Sequence, residues 1–175
     1  MEDSRRYFFY SNQIFMTKYQ LFLYRLKSLA RISLIKTLYV NLRLLPFIQA
    51  IKIPILLSRS TKIESLSGKM ILINPAKFGV VRIGFFNSDF LSWREHRNYL
   101  NIKGTVIFGD QVQFGVGTKL VVDNGARFEV GDNAAIGSNS RIICRENIVI
   151  GNNFRAAWDS QILDTNFHYT KDITT

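Results

Sequence analysis

His168 is the side chain in this sequence best suited to moving a proton. A neutral imidazole takes up a proton near neutral pH, which makes His168 the candidate general base. Asp164 could accept a hydrogen bond from the second ring nitrogen and fix the tautomer, and Asn166 or Asp172 could do the same. These three orienting groups stay open at this point, because spacing along an irregular corner does not fix a distance.

Cysteine content and net charge limit the other kinds of site. Cys144 is the only cysteine, so the chain forms no disulfide within itself and no cysteine-only metal site. We expect Cys144 to be buried filler inside a repeat. The net charge of +10 favours an anionic partner, namely nucleic acid, an acidic membrane surface or a phosphorylated small molecule. Nucleic acid is disfavoured, since the basic residues are spread along the chain without a basic arm or a recognised binding motif.

The elements that must position His168 are predicted from large apolar residues that recur at intervals of six. Between runs the interval slips by two, which keeps the side chains on one face because strand side chains alternate with period two. The predicted inward set is Phe108, Phe114, Leu120, Val122, Phe128, Val130, Ile136, Ile142, Ile148, Ile150, Ala156 and Ile162.

Glycine, asparagine and aspartate follow many of these inward positions. Gly131 is followed by Asp132 and Asn133, and Gly151 is followed by two asparagines. These residue types adopt positive φ at low cost, so the pattern predicts very short strands joined by tight corners. A six-residue repeat of this kind predicts a parallel β-solenoid, in which each coil packs on the coils above and below it.

Four stretches of this part of the chain carry a family resemblance. Residues 130–139 (VGDNAAIGSN) and 148–153 (IVIGNN) resemble the hexapeptide-repeat, left-handed β-helix acyltransferases. Residues 157–159 (AWD) and 161–168 (QILDTNFH) are similar to the histidine segment of the surface-polysaccharide O-acetyltransferase branch of that family. The resemblance extends over residues 101–168 and predicts a mainly β fold, a left-handed parallel β-helix.

The resemblance implies an O-acetyltransferase that moves an acetyl group from acetyl-CoA to a sugar hydroxyl in capsule, lipopolysaccharide or exopolysaccharide synthesis. It implies that His168 activates the hydroxyl, which attacks the thioester without a covalent acyl-enzyme and without a metal. It also implies a homotrimer with the acyl donor between neighbouring helices, and a saccharide or a nucleotide- or lipid-linked sugar as acceptor. A zinc-dependent carbonic anhydrase on the same kind of solenoid is disfavoured, because its site uses three histidines and this chain has two.

Residues on either side of Asp164 are candidates for binding the acceptor. Trp158 could stack on the apolar face of a sugar ring, or it could pack against a neighbouring subunit instead. Asp159 and Asn166 could form hydrogen bonds with sugar hydroxyls. These assignments depend on the resemblance, as the catalytic role of His168 does.

The repeat must end before His168 if that residue is to act. Six residues beyond Ile162 is His168, so an unbroken repeat would point the imidazole into the apolar interior, where an unpaired polar ring is costly. Three polar residues at 164–166 favour a break there. The chain stops at Thr175, whereas solenoids of the family continue through further coils, so we expect a truncated or shortened solenoid.

A polar bridge at residues 58–61 is predicted to divide the chain into residues 1–60 and 61–175. The second part is the expected β-helix domain, with irregular first coils and regular coils from about residue 102. Residues 87–100 break the repeat and are interpreted as an inserted, solvated loop. Its basic and aromatic residues could contact an anionic acceptor or a CoA phosphate; they are Trp93, Arg94, His96 and Arg97.

Residues 1–60 are predicted to be a basic, amphipathic, α-helical segment. Apolar residues recur at helical spacing from about Tyr19, and a second helix from about Leu34 to Leu45 is expected to stop at Pro46. This segment predicts a helix that packs on the end of the solenoid and covers its open edge. It also predicts a membrane-surface anchor with Lys and Arg near anionic headgroups, and the two interpretations are compatible.

Frequent Lys and Arg residues interrupt this segment, so no stretch is expected to span a bilayer. The acidic start at Glu2 and Asp3 argues against a cleaved signal peptide, and the expected location is the cytoplasm, with the inner face of the membrane as an option. The alternative to an enzyme is a non-catalytic solenoid scaffold or membrane-surface binding module. Retained binding of acetyl-CoA would argue against that alternative.

Overall fold

The computed structural model describes residues 30–86, 91–92 and 94–165. The chain divides into two compact units, residues 1–31 and 32–175, and nearly all described residues belong to the second. Several predictions fall outside the described residues: the helix from Tyr19, the loop residue Trp93, and the functional candidates Asn166, His168 and Asp172.

Fourteen short strands of the described residues form three sheets, and the chain visits the sheets in turn. The first sheet contains β1 (Ile55–Leu57), β4 (Val81–Ile83), β7 (Val112–Phe114), β10 (Ala135–Ile136) and β13 (Arg155–Ala156). The second contains β2 (Lys62–Leu66), β5 (Tyr99–Ile102), β8 (Lys119–Val122), β11 (Arg141–Cys144) and β14 (Gln161–Leu163). The third contains β3 (Lys69–Leu72), β6 (Thr105–Phe108), β9 (Arg127–Val130) and β12 (Asn147–Ile150).

Each strand pairs in parallel with the corresponding strand of the next coil. In the second sheet, Leu100 pairs with Leu120, Leu120 with Ile142, and Ile142 with Ile162. The predicted fold class is confirmed: the chain is a mainly β solenoid of parallel coils, about five turns long, after an N-terminal helical segment.

The predicted inward residues form the core. Phe108, Phe114 and Phe128 are completely or almost completely buried, with Phe108 edge-on to the other two rings at centroid distances of 5.8 and 6.2 Å. Ala156 and Ile162 of the last described coil are only half-buried. They belong to β13 and β14, each of which pairs with one other strand in the described part of the chain, so burial comes from one side only.

The corners use the residue types that the sequence singled out. Asn133, Asn139, Asn153 and Asp159 all have positive φ, between 54° and 59°. Gly137 is required for a different reason, because a Cβ at that position would lie 2.2 Å from the carbonyl oxygen of Ala157 in the next coil. Tight corners therefore let the backbones of successive coils approach one another closely.

Within residues 32–54, two short helices precede the first strand: α1 (Leu34–Leu44) and α2 (Phe47–Ala50). Leu45 is extended, with φ −117° and ψ 154°, because the ring of Pro46 disfavours helical geometry in the residue before it. The predicted stop at Pro46 is thus confirmed. Among the residues that the structure describes, no helix is long and apolar enough to cross a membrane.

Helix α1 covers the backbone edge of β1 with polar side chains. The Asn41 side-chain amide donates to the carbonyl oxygen of Ile55 at 2.8 Å, and its oxygen accepts from the N–H of Ile55 at 3.1 Å. The Thr37 hydroxyl accepts from the N–H of Leu57 at 3.1 Å. The expected packing of a helix on the open edge is therefore present, and Thr37 and Asn41 carry it together with buried apolar residues such as Val40.

The solenoid begins before the boundary predicted at residue 61. β1 already pairs in parallel with β4, and the polar bridge at residues 58–61 is the corner between β1 and β2, closed by a hydrogen bond from the Thr61 N–H to the Ser58 carbonyl oxygen. The predicted loop at residues 87–100 also ends earlier than expected, because β5 starts at Tyr99. In the sequence alone, a polar coil corner looks like a linker, because the pairing of the strands on either side of it is not visible.

Candidate functional site

A groove of about 430 Å³ lies on the outer face of the second sheet, and four of its eight lining residues are Lys or Arg. Lys62 pairs with Tyr99, Tyr99 with Lys119, and Lys119 with Arg141, so these four residues form one row across the sheet. We call this the basic groove; its lining residues are Lys62, Arg97, Asn98, Tyr99, Lys119, Val121, Arg141 and Ile143.

A second hollow of about 550 Å³ adjoins the basic groove and shares Lys62 and Arg97 with it. It extends toward α1, where Lys36 and Arg59 contribute to its lining. Seven Lys and Arg residues line the two hollows together, and their described lining includes no Asp or Glu. Clustered cations in a concave surface attract and concentrate anions, so this is the part of the described surface best suited to a phosphorylated ligand.

Local contacts hold two of these cations, Lys62 and Lys36, in place. The ammonium of Lys62 lies 2.8 Å from a carboxylate oxygen of Glu64 and 5.5 Å from the centroid of the Tyr99 ring. The hydrogen bond with Glu64, reinforced by their opposite charges, raises the pKa of Lys62 and lowers the pKa of Glu64. The ammonium of Lys36 donates to the carbonyl oxygens of Arg59 and Thr61. These contacts within the protein therefore restrict the positions of the Lys36 and Lys62 side chains in the walls of the hollows.

The predicted loop contributes to these hollows. Arg97 lines both, and Arg94 lines the second. His96 lies in a turn, with its ring Nδ1 3.1 Å from the carbonyl oxygen of Ser92. Because that carbonyl can only accept, Nδ1 carries the proton in the neutral ring. Contact between this segment and an anionic group stays a prediction. The structure adds that Arg94 and Arg97 of the segment line the concave surface formed by the two hollows.

Sequence reasoning missed the row of residues on the strands. Lys119 and Arg141 are outward-facing residues that stand one coil apart, and nothing nearby in the sequence marks them. A search for basic residues at outward positions of successive coils could have found them, because the six-residue repeat predicts which positions face out.

Asp164 stabilises a corner of the neighbouring coil. One carboxylate oxygen accepts from the backbone N–H of Arg145 at 2.7 Å, and the other accepts from those of Glu146 and Asn147, each at 2.8 Å. Burial alone would raise the pKa of Asp164, but these hydrogen bonds outweigh it and lower the pKa. Asp164 therefore caps the turn between β11 and β12, whereas its proposed contact with His168 involves a residue outside the described part and stays a prediction.

Trp158 and Asp159 occupy the corner immediately before β14, which is the edge strand of the second sheet in the described structure. Gln161, the first residue of β14, pairs with the groove residue Arg141. Trp158 is 55% exposed, and Asp159 accepts a hydrogen bond from the Asn139 side chain of the coil before. Neither residue lines the groove, and one oxygen of Asp159 already bonds the corner of the coil before.

Cys144 is fully buried, as predicted. Its thiol contacts the Arg127 carbonyl oxygen at 3.1 Å and the Asp164 carboxylate at 3.7 Å. Burial, together with the nearby negative charge of Asp164, raises the pKa of the thiol to about 11, so it stays protonated at neutral pH. Within the described residues, no group of three or more His, Cys, Asp or Glu side chains is arranged to hold a metal ion.

The comparisons with known proteins leave the family of this chain open. No protein-family model matches the chain, and no match was found among curated proteins or among solved structures. The functional conclusion therefore depends on the motifs of the repeat and on the basic groove.

Proposed function

We propose that this protein is an acyltransferase that moves an acetyl group from acetyl-CoA to a saccharide hydroxyl. The observation that carries the proposal is the basic groove on the second sheet, whose residue Arg141 pairs with Gln161 of β14. The residues that resemble the O-acetyltransferase histidine segment begin at this corner and end at His168, five residues after the last residue of β14.

The groove suits the donor because it combines cations with an apolar wall. CoA carries a diphosphate and a 3′-phosphate, which Lys119 and Arg141 would neutralise, with Arg97 at the rim. The pantetheine arm is long and mostly apolar, and Val121 and Ile143 offer it a surface beside the cations. The proposal places the donor between neighbouring solenoids of a homotrimer, so an adjacent subunit would close the open side of the groove.

In the proposed reaction, His168 takes the proton of the sugar hydroxyl as the oxygen attacks the thioester carbonyl. A backbone N–H at a coil corner stabilises the negative charge of the tetrahedral intermediate. The imidazolium then returns its proton to the departing CoA thiolate, so no covalent acyl-enzyme and no metal is needed. Asp164 or Asn166 orients the imidazole, and Asn166 or Asp159 binds acceptor hydroxyls while Trp158 stacks on the sugar ring.

The acceptor in this proposal is a free, nucleotide-linked or lipid-linked sugar of capsule, lipopolysaccharide or exopolysaccharide synthesis. Acetyl-CoA is a cytoplasmic metabolite, so the proposed location is the cytoplasm. A nucleotide- or lipid-linked acceptor carries phosphate as well, and the second hollow with Lys36 and Arg59 offers cations for it.

Two measurements test the proposal on the full-length chain. Release of CoA from acetyl-CoA is followed with a panel of sugar acceptors, and CoA binding is measured separately by calorimetry. We expect His168→Ala to lower kcat by about 10²- to 10⁴-fold while the Kd for CoA stays within about twofold. Unchanged turnover in His168→Ala would remove that residue from the mechanism.

A pair of variants, one in the groove and one outside it, tests the role of the groove. We expect Lys119→Gln to raise the Kd for CoA by about tenfold, because a cation facing the phosphates is lost. Lys69→Gln is the matched control, since Lys69 is an exposed strand lysine on the third sheet, and its Kd should stay at the wild-type value. Equal effects of the two variants would mean that net charge, and not the groove, attracts CoA.

The alternative is a non-catalytic scaffold built on the same solenoid. It predicts a folded protein that shows no measurable CoA binding in the calorimetric experiment. Binding that is retained in His168→Ala and weakened in Lys119→Gln would exclude it.

A further inference from the structure

The outward sides of α1 and α2 expose eight large apolar side chains. Ile35 is 84% exposed, Ile48 74% and Phe47 70%. In α1 these residues recur at spacings of three and four, which puts them on one side of the helix, and α2 is in contact with α1. We call this surface the apolar face; it consists of Leu34, Ile35, Leu38, Tyr39, Leu42, Phe47, Ile48 and Ile51.

The apolar face cannot be buried by turning α1 around, because the opposite side of the helix is already used. Thr37 and Asn41 are buried there and hydrogen-bond the backbone of β1, and Val40 and Leu44 join the core beside them. Apolar clusters of this extent are rare on the surface of a soluble monomer and mark an interaction surface.

The charges around the apolar face have one sign. Lys36, Arg43 and Lys52 lie within or beside α1 and α2, and no Asp or Glu occurs between Asp3 and Glu64 in the sequence. Residues 1–60 contain ten of the 23 Lys and Arg residues of the chain and two of its 13 Asp and Glu residues. An apolar helix face flanked only by cations is complementary to an anionic, apolar partner.

This charge distribution disfavours a second copy of the chain as the partner. A second copy docked through the same face would bring Arg43 and Lys52 of both chains together, and no Asp or Glu lies between residues 4 and 63 to offset them. A bilayer with anionic headgroups offsets the cations and takes up the apolar side chains.

We infer that the apolar face docks onto the surface of an anionic lipid bilayer. α1 and α2 lie in the plane of the interface, with the apolar side chains below the headgroups and Arg43 and Lys52 at headgroup level. Tyr39 suits this position because its ring is apolar and its hydroxyl is polar. The solenoid is then held beside the membrane through α1, which is bonded to β1. This inference is independent of the acyltransferase proposal.

The test is co-sedimentation of the full-length protein with vesicles of phosphatidylcholine alone and of phosphatidylcholine mixed with phosphatidylglycerol. We expect at least about tenfold stronger partitioning to the anionic vesicles, weakened by high salt because the charge attraction is screened. The double variant Ile35→Gln with Ile48→Gln should lower partitioning by at least about tenfold, since two of the most exposed apolar anchors are lost.

The matched control is Phe78→Gln with Val149→Gln, which removes two apolar side chains that are 62% and 60% exposed elsewhere. Its partitioning should stay within about twofold of wild type, and both double variants should keep the wild-type circular dichroism spectrum. Failure of the wild-type protein to sediment with anionic vesicles overturns the inference. So does equal loss in the two double variants, or a dimer in light scattering that only Ile35→Gln with Ile48→Gln dissociates, without lipid binding.

Discussion

The coils of the solenoid and helix α1 differ in the side chains that they turn inward and outward. In the coils, Phe108 and its neighbours face inward, whereas α1 turns polar Thr37 and Asn41 inward beside apolar Val40 and Leu44, and exposes Ile35 and Leu38. The difference follows from the backbone. A strand inside the stack finds its hydrogen bonds in the next coils, so its inward side chains need only fill space. β1 ends its sheet in the described structure, and its exposed N–H and C=O groups need polar partners.

The largest expected effect comes from comparing the same Phe→Ala substitution at a core position and at an exposed position. Phe108→Ala should lower the free energy of unfolding by about 3–5 kcal/mol, because it leaves a cavity among Phe114 and Phe128. Phe47→Ala on the apolar face should change it by less than about 0.5 kcal/mol. Urea denaturation of both variants measures the difference. A similar loss in both would mean that the outward side of α2 is buried in solution.

A swap of neighbouring residues in α1 tests the reversed polarity directly. Asn41→Leu should lower the free energy of unfolding by on the order of 3 kcal/mol, since the N–H and C=O of Ile55 lose their partners in a buried place. Leu42→Asn, its exposed neighbour, should cost less than about 0.5 kcal/mol. The same denaturation experiment serves both. If Asn41→Leu is as stable as wild type, the polar inward side of α1 is not needed to cap β1.

The smallest expected effect concerns a polar residue within the coils. Asp164→Asn should lower stability at neutral pH by about 1 kcal/mol, because charge-assisted hydrogen bonds from three backbone N–H groups are weakened. The pKa of Asp164 is lowered in the folded protein, so this stabilisation is complete above its ordinary value of 3.8 and is lost as the pH falls through the folded-state pKa. Thermal unfolding of wild type and variant from neutral pH down to pH about 2.5 should show the difference shrinking at the acidic end.

That variant also separates two roles of Asp164. If it only caps the corner, kcat of the folded fraction stays within about twofold of wild type; if it also orients His168, kcat falls further and the pH dependence of turnover shifts. A stability difference that does not change with pH would contradict the capping role.

Much of the fold could be predicted because the repeat constrains every position. The interval of six, with slips of two, identified Phe108, Leu120, Ile136 and Ile142 as inward, and all four are buried. The stop of α1 at Pro46 was equally local, since it depends on the geometry of one residue and its neighbour. The boundary of the solenoid was misjudged, because Ile55–Leu57 shows its role only through pairing with Val81–Ile83.

The candidate site was harder to predict. Asp164 looks like a partner of His168 in the sequence, but its contacts with Arg145 and Asn147 arise only when one coil is stacked on another. Lys119 and Arg141 become neighbours for the same reason. Single residues on the outer face carry no periodic signal of their own, since any polar side chain is compatible with solvent.

The amino-acid sequence by itself determined which side chains enter the core and where the chain turns, because alternation along a strand and positive φ at a corner are local properties. Only the tertiary structure decided what lies side by side on the surface. It joined Lys62, Lys119 and Arg141 into one groove, and it turned Thr37 and Asn41 of α1 toward β1 and left the apolar face of α1 outward. The physical reason is that coil stacking and the bonding needs of an edge strand act between residues that are distant in the sequence.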